Sequence, residues 1–445
     1  MMDLPATLEK CDGEYYLGGC KLEELTREYG TPLLVMDEET IRSNARYYLD
    51  NLKQYYPQSN VYYASKAFLN MGICRIMEEE GMGLDVVSGG ELYTALSAGF
   101  PADRIIMHGN NKSRRDIIQA IRSGIRAIVV DNDDELDRIE KIGKAMGSNV
   151  PVMLRVVPAL EAVTHPHLQT GMGSKFGFKM HQGQARKALR KLSRSDVMKP
   201  VGLHCHLGSQ ITDSEIYLEA AEEVLLLASE FKHLWTEGFA LNLGGGFAVA
   251  HNEEEESFAF ESFLPVIAQK VISLSRELNL PLPTLEFEPG RSIMATAGVT
   301  LYTLGARKEV EGLGTFVPVD GGMSDNIRPA LYEAEYNAFV VNKGAERRDR
   351  EKVTIAGRLC ESGDNLINGI DLPRIKAGDL LAVTCTGAYT YPMASNYNGL
   401  PRPAVVLVGN GKASTLIKGE SYEDLLQNQE IPAHLQKDED QYMAL

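Results

Sequence analysis

The 445-residue chain has one tryptophan, six cysteines, a deficit of positive charge and no long apolar run. No apolar stretch approaches the roughly 20 residues that a helix needs to cross a bilayer. The cysteines Cys11, Cys20, Cys74, Cys205, Cys360 and Cys385 show neither CxxC pairing nor framework spacing, so reduced thiols in a cytoplasm are expected. The opening MMDLPATLEKCDGEYYL lacks a basic flank before an apolar segment, and its acids argue against a transit peptide. With 45 Lys and Arg against 61 Asp and Glu, the net charge is −16. That disfavours nucleic acid and anionic membrane as partners. It leaves a small substrate open, because a cationic pocket can sit inside an acidic protein. A chain this long, 44% hydrophobic, can bury its core without a disulfide or metal staple.

From residue 37 to 290, short β-branched runs alternate with amphipathic stretches. Eight runs read as strands: VYYAS ending at Ser65, LDVVS at Ser88, IIMH at His108, AIVVD at Asp131, VMLRVV at Val157, GLHCH at His206, ALNL at Leu243 and LEFE at Glu288. The intervening SRRDIIQAIRSG has helical spacing and a Ser113 N-cap. Eight βα units in about 250 residues predict a (β/α)₈ TIM barrel. After Arg291 the period changes to alternation with Gly-rich turns, which predicts an antiparallel β-sandwich or barrel domain over 291–420. Residues 1–36 are too few for their own core and are expected to add a strand to that domain. Residues 421–445 read as a helical tail, and HNEEEES at 251–257 as a solvated acidic loop.

Barrels carry their chemistry at the C-terminal strand ends. Here those ends are Lys66, Asp85 with Ser88, His108, Asp131, Arg155, His206, Gly244–Gly246 and Glu288. A lysine after an apolar strand is commonly a snorkelling surface residue. Lys66 could equally be a partly desolvated amine at the barrel mouth, able to form a Schiff base. The triplet Gly244, Gly245, Gly246 could be a plain tight turn. It follows the seventh strand, however, where many barrels let backbone N–H groups approach a phosphate.

His204 and His206 are two apart and would share a face in a strand. An HxH pair suggests a metal-dependent barrel hydrolase, but no second tight ligand cluster accompanies it, and we expect no metal. An imidazole laid flat against an aromatic cofactor ring accounts for one histidine equally well, with Ser209 beyond it within reach of a phosphate. Glu288 closes the eighth strand, where a buried carboxylate needs a cationic partner. The pyridinium nitrogen of pyridoxal phosphate is one, and a carboxylate there keeps the ring an electron acceptor, as decarboxylation requires.

YYASKA, GLDVVSGGEL, THPHLQTG followed by KFG, HCHLGSQI, NLGGGF, EPGR, VDGGMSDNIRPALY, CESGD, GAYTYPMASNYNG and RPAVVLV occur in order from about residue 30 to 410. Together they resemble the diaminopimelate decarboxylase family, within the fold-type III pyridoxal-phosphate decarboxylases. The resemblance implies conversion of meso-2,6-diaminopimelate to L-lysine and CO₂, the last step of lysine biosynthesis. Another basic amino acid (D-lysine, D-ornithine or arginine) is the alternative substrate. It implies Lys66 as the Schiff-base lysine, Asp85 among the cofactor contacts and His206 stacked on the ring. Ser209, Gly244–Gly246, Gly290 and Arg291 would surround the phosphate, with Glu288 at the ring nitrogen. Arg291, Arg328 and Tyr332 would hold substrate carboxylates, and Tyr389 would touch the cofactor. Cys360, as proton donor, and Glu361, toward the distal ammonium, would reach into the other subunit's site, which makes the enzyme a homodimer with shared active sites. Pro392, the RVVP run at 155–158 and GGGFAVAH depart from the usual pattern without removing a group the reaction needs.

Overall fold

A computed structural model describes residues 4–160, 173–252, 254–342 and 350–436. The THPHLQTG segment lies outside the described residues.

The eight strands form where the apolar runs place them: Ser59–Ala64, Gly83–Val86, Ile105–Met107, Ala127–Val130, Val150–Val157, Met198–His204, Ala240–Asn242 and Thr284–Phe287. Each pairs in parallel with its neighbours, and the eighth pairs with the first, Leu285 opposite Ser59, which closes the barrel. Helices connect the strands. Arg114–Ser123 shows how locally these are set: Ser113 and Asp116 form a capping box, and Gly124 ends the helix in the left-handed region. The strand alternation sends Tyr62, Ile106, Val129, Met153 and Ala240 into the barrel interior, where they form a buried cluster of their own.

The described remainder forms three sheets, the smallest a three-stranded antiparallel one, Glu9–Cys11, Glu14–Leu17 and Cys20–Lys21, near the N-terminus. A six-stranded sheet runs Ala338–Val340, Leu380–Val383, Gly298–Thr303, Leu33–Asp37, Ala404–Gly409, Lys412–Ile417, and a four-stranded one runs Lys308–Val310, Gly314–Pro318, Arg350–Ala356, Asn365–Pro373. The N-terminal segment does supply a strand: Leu33–Asp37 lies mid-sheet between Gly298–Thr303 and Ala404–Gly409. Pairing is mainly antiparallel. Two contacts are parallel, Leu33–Asp37 with Ala404–Gly409 and Gly314–Pro318 with Arg350–Ala356, because in each case the chain returns by a long crossover rather than a hairpin.

Within 421–436 the helical content is one five-residue helix, Tyr422–Leu426, and a 3₁₀ turn at Ala433–Leu435; residues 437–445 lie outside the described residues. The acidic segment beginning at His251 exposes Glu254 and Glu256 and is anchored at its start: His251 is buried, and its Nδ1 lies 3.0 Å from Glu255 Oε2.

Candidate active site

The C-terminal barrel ends converge on two adjoining cavities of about 340 Å³ each, which share Lys66, Phe176, His206 and Glu288 as walls. One lobe adds Asp85, His108, Arg155 and His204. The other adds Ser209, Gly246, Gly290, Arg291, Arg328, Tyr332 and Tyr389. Residues far apart in the chain meet here because parallel strands all end on one rim.

Glu288 is buried in the wall common to both lobes. Its Oε1 is 3.0 Å from His108 Nε2 and accepts from Asn242 Nδ2 at 2.8 Å, and its Oε2 is 3.3 Å from His204 Nε2. Burial pushes this carboxyl up, but the two imidazoles and their hydrogen bonds outweigh it and hold Glu288 well below the usual carboxylate range. Burial pushes His204 down to about 4 despite Glu288 beside it, so its ring is neutral near pH 7. His206 lies beyond the strand end; its Nδ1 accepts from the Gly245 N–H at 3.3 Å, and burial lowers it far below the ordinary imidazole value. Asp85 is buried, with Oδ1 3.7 Å from His108 Nε2 and without a hydrogen-bond partner.

Lys66 occupies a 3₁₀ turn, Ser65–Ala67, directly after the first strand. Burial lowers its ammonium, as expected for a desolvated amine. Tyr389, Asp85 and Glu288 more than reverse this, so the net shift is upward. The Tyr389 N–H donates to Ala67 O at 2.8 Å, from a left-handed backbone at φ 59° that tyrosine adopts only when its surroundings impose it.

The glycine triplet is obligatory for packing whatever it binds. Gly244 and Gly246 have φ of 69° and 104°, and a Cβ on Gly245 would lie 2.0 Å from Glu288 O. Gly290 likewise lies against Ala64. Arg291 Nη2 donates to Ser209 Oγ at 3.2 Å, while its Nε and Nη1 are buried without a hydrogen-bond partner among the described residues. Arg328 Nε donates to Tyr336 OH at 2.9 Å. Both guanidiniums face the Tyr389 ring, at 4.7 and 5.8 Å from its centroid.

Three expectations fall outside this constellation. Ser88 is a helix N-cap, accepting from Glu91 N–H, and lines neither lobe. Cys360 and Glu361 are exposed and line neither lobe. Among the described residues the grouping able to ligate a metal is His108, His204 and Glu288; His206 is not part of it, so the HxH pair does not act as a unit. Conversely, His108, Arg155 and Asn242 belong to the site without having been given a role. The first two were visible as strand ends. Asn242 was hidden inside LNLGGG, where period-2 alternation from Ala240 would have turned it inward.

The family model described as "Pyridoxal-dependent decarboxylase, pyridoxal binding domain" matches residues 40–295. The chain therefore belongs to the pyridoxal-phosphate-dependent decarboxylases. Within that class it groups with the diaminopimelate decarboxylases: it is 46% identical to that enzyme of Bacillus subtilis over 93% of this chain and 94% of the relative. It is 44% identical to the Staphylococcus aureus enzyme, over 94% and 98%. The crystal structure of diaminopimelate decarboxylase from M. jannaschii in complex with L-lysine superimposes with a TM-score of 0.89 at 35% identity, covering 98% of this chain and all of that one.

The Gly245 crossing yields a direct test. Gly245→Ala should lower the melting temperature of the cofactor-free protein, by about 1–3 kcal/mol in stability, because the loop and the Glu288 backbone must separate. Thermal unfolding measures it, and an unchanged midpoint would show that the crossing is not tight.

Proposed function

We propose that the protein removes one carboxylate of meso-2,6-diaminopimelate as CO₂ and releases L-lysine, using pyridoxal 5′-phosphate held in the two-lobed cavity. The observation that carries the substrate is the pair Arg291 and Arg328: both are buried, and neither has a carboxylate partner among the described residues. Paired guanidiniums suit anionic oxygens: with Arg291 toward the phosphate, Arg328 is free to hold the carboxylate that stays on the substrate, whereas a substrate with a single carboxylate loses it as CO₂ and leaves Arg328 without an anion.

The residues present fit the cofactor. Asp85 Oδ1, His204 Nδ1 and Arg291 Nε and Nη1 are buried in the walls without hydrogen-bond partners among the described residues, as a polar ring and its phosphate would require. Bound there, the cofactor supplies a sink for the electron pair left when CO₂ departs. We assign Lys66 as the amine that holds the cofactor covalently, and Glu288 as the anion that keeps the ring nitrogen protonated. His206, neutral and lining both lobes, would offer its face to the ring, with Asp85 at the inner lobe. Ser209, the Gly244–Gly246 loop, Gly290 and Arg291 would receive the phosphate. Arg328 and Tyr332 would receive the substrate carboxylate, with Tyr389 bridging both by its ring. Arg328, Tyr332, Tyr389 and Met393 of the β domain wall the outer lobe against the barrel, which limits water at the reacting carbon.

Cys360 and Glu361 support a further reading, a two-fold homodimer in which they complete the partner's site: the thiol would deliver a proton and the carboxylate would meet the distal ammonium. Their exposure in the single chain agrees with this. The six cysteines, with neither CxxC pairing nor framework spacing, support a reducing, cytoplasmic setting.

Three experiments check these assignments. Borohydride reduction followed by digestion should leave the cofactor on Lys66; a label on another lysine overturns that role. Assay of meso-diaminopimelate, lysine, ornithine and arginine should give turnover chiefly with the first. Arg328→Met should cost it on the order of 10²-fold or more in kcat/KM, about 3 kcal/mol for a buried charged hydrogen bond. Preference for a monocarboxylate would instead favour a decarboxylase of another basic amino acid. Finally, mixing inactive Lys66→Ala and Cys360→Ala subunits under exchange conditions should restore up to about a quarter of normal activity, by random pairing in a two-fold dimer. No recovery despite exchange would remove Cys360 from the partner's site.

A further inference from the structure

The eighth strand carries a second inward carboxylate. Glu286 and Glu288 are two apart in LEFE and so point to the same inner face of the barrel. Glu286 is fully buried, one layer below Glu288 toward the barrel floor. An anion there must be compensated, and the compensation comes from the opposite end of another strand. Arg126, which precedes the fourth strand, enters through the floor and donates from Nη2 to Glu286 Oε1 at 2.7 Å. Asn60 Nδ2 at 3.0 Å and Tyr62 OH at 3.3 Å donate to the same oxygen.

The other oxygen, Oε2, faces upward to Asn242 Nδ2 at 3.4 Å. That same Nδ2 donates to Glu288 Oε1 at 2.8 Å, while Asn242 Oδ1 accepts the Gly244 N–H at 2.9 Å. The Asn242 amide thus has a single sensible orientation. Its two N–H bonds go to two carboxylates and its oxygen to the glycine loop. A flip would set the oxygen against both anions and strand the Gly244 N–H.

We propose that Glu286, anchored by Arg126, is a positioning residue for the reaction: it fixes the Asn242 amide, which in turn aims the Glu288 carboxylate and the Gly244–Gly246 loop. One interior column, Arg126–Glu286–Asn242, thereby sets both ends of the cofactor site from the floor of the barrel. A packing role alone would need only volume at these positions, and the apolar barrel cluster around Tyr62, Val129 and Met153 could supply that. This inference rests on the assignment of Glu288 to the cofactor's ring nitrogen.

The test uses the full-length enzyme and its apoprotein. Arg126→Met combined with Glu286→Leu removes both charges together, so no lone ion is left buried. The double variant should fold. It should bind pyridoxal phosphate roughly tenfold more weakly when apoprotein is titrated. It should shift the visible absorption of the bound cofactor in the same direction as Glu288→Gln does, and lower kcat on the order of tenfold at nearly constant KM. Normal cofactor affinity, spectrum and kcat in the folded double variant overturn the proposal, whatever happens to the melting temperature. Should the double variant not fold, Glu286→Gln alone, which keeps the volume, is held to the same spectrum and affinity, and Arg126→Lys alone, which keeps the cation beside Glu286, should leave them near normal. If Glu288→Gln itself leaves the spectrum unchanged, the ring-nitrogen assignment fails and this inference falls with it. If Glu288→Gln changes the spectrum and the Glu286 variants do not, only the column is wrong.

Discussion

A carboxylate buried at the mouth of a barrel, Glu288, constrains almost everything around it. Left alone it would take up a proton, because burial favours the neutral acid. It is kept anionic by three donors from three different strands or strand ends, His108, His204 and Asn242. Only a closed barrel brings those positions together at hydrogen-bonding distance. The two histidines are themselves packed edge to face, with ring centroids 4.5 Å apart, so neither can turn away without disturbing the other.

The same carboxylate dictates the glycine loop. The backbone of Glu288 crosses so close to Gly245 that no side chain fits between them, and the Glu288 N–H donates to Gly244 O at 2.8 Å. The end of the eighth strand and the turn after the seventh are therefore one unit. A group that contacts the loop at one end and the carboxylate at the other is held by a single rigid piece of backbone, which is the pre-organisation that catalysis on a bound cofactor needs.

Strand ends were legible in the sequence because period-2 runs and their order reveal a barrel, and a barrel fixes which residue of each run reaches the rim. Lys66, Asp85, His206 and Glu288 were found that way and do line the cavities. Roles for His108, Arg155 and Asn242 were not legible, since they depend on which strands face one another across the interior, and no local period encodes that. Glu286 and Arg126 escaped for the same reason, one being a mid-strand residue and the other lying at the wrong end of its strand. The desolvation of Lys66 was legible from its place at a strand end, but not the neighbouring Tyr389, Asp85 and Glu288, which raise its pKa on balance. Cys360 and Glu361 rested on resemblance alone, and the single chain leaves them outside the cavities.

Charge is segregated within the molecule. The chain as a whole carries −16, yet the two lobes are lined by five cations, Lys66, Arg155, Lys175, Arg291 and Arg328, and only two carboxylates, Asp85 and Glu288. Burial and the proximity of Arg328 push Arg291 down to about 10, the direction expected where the protein itself places no carboxylate beside the guanidinium among the described residues. Contact with the Tyr389 face offsets part of that, up to about 2 kcal/mol for a desolvated cation–π pair. The rest is recovered only when anions arrive. Within a low-dielectric cavity that attraction is strong and poorly screened by salt, whereas the acidic exterior repels anions at long range. Selectivity for a ligand that brings its own ammonium groups along with its carboxylates follows from the combination: a zwitterion of small net charge can cross the acidic surface, and its carboxylates then meet the guanidiniums inside.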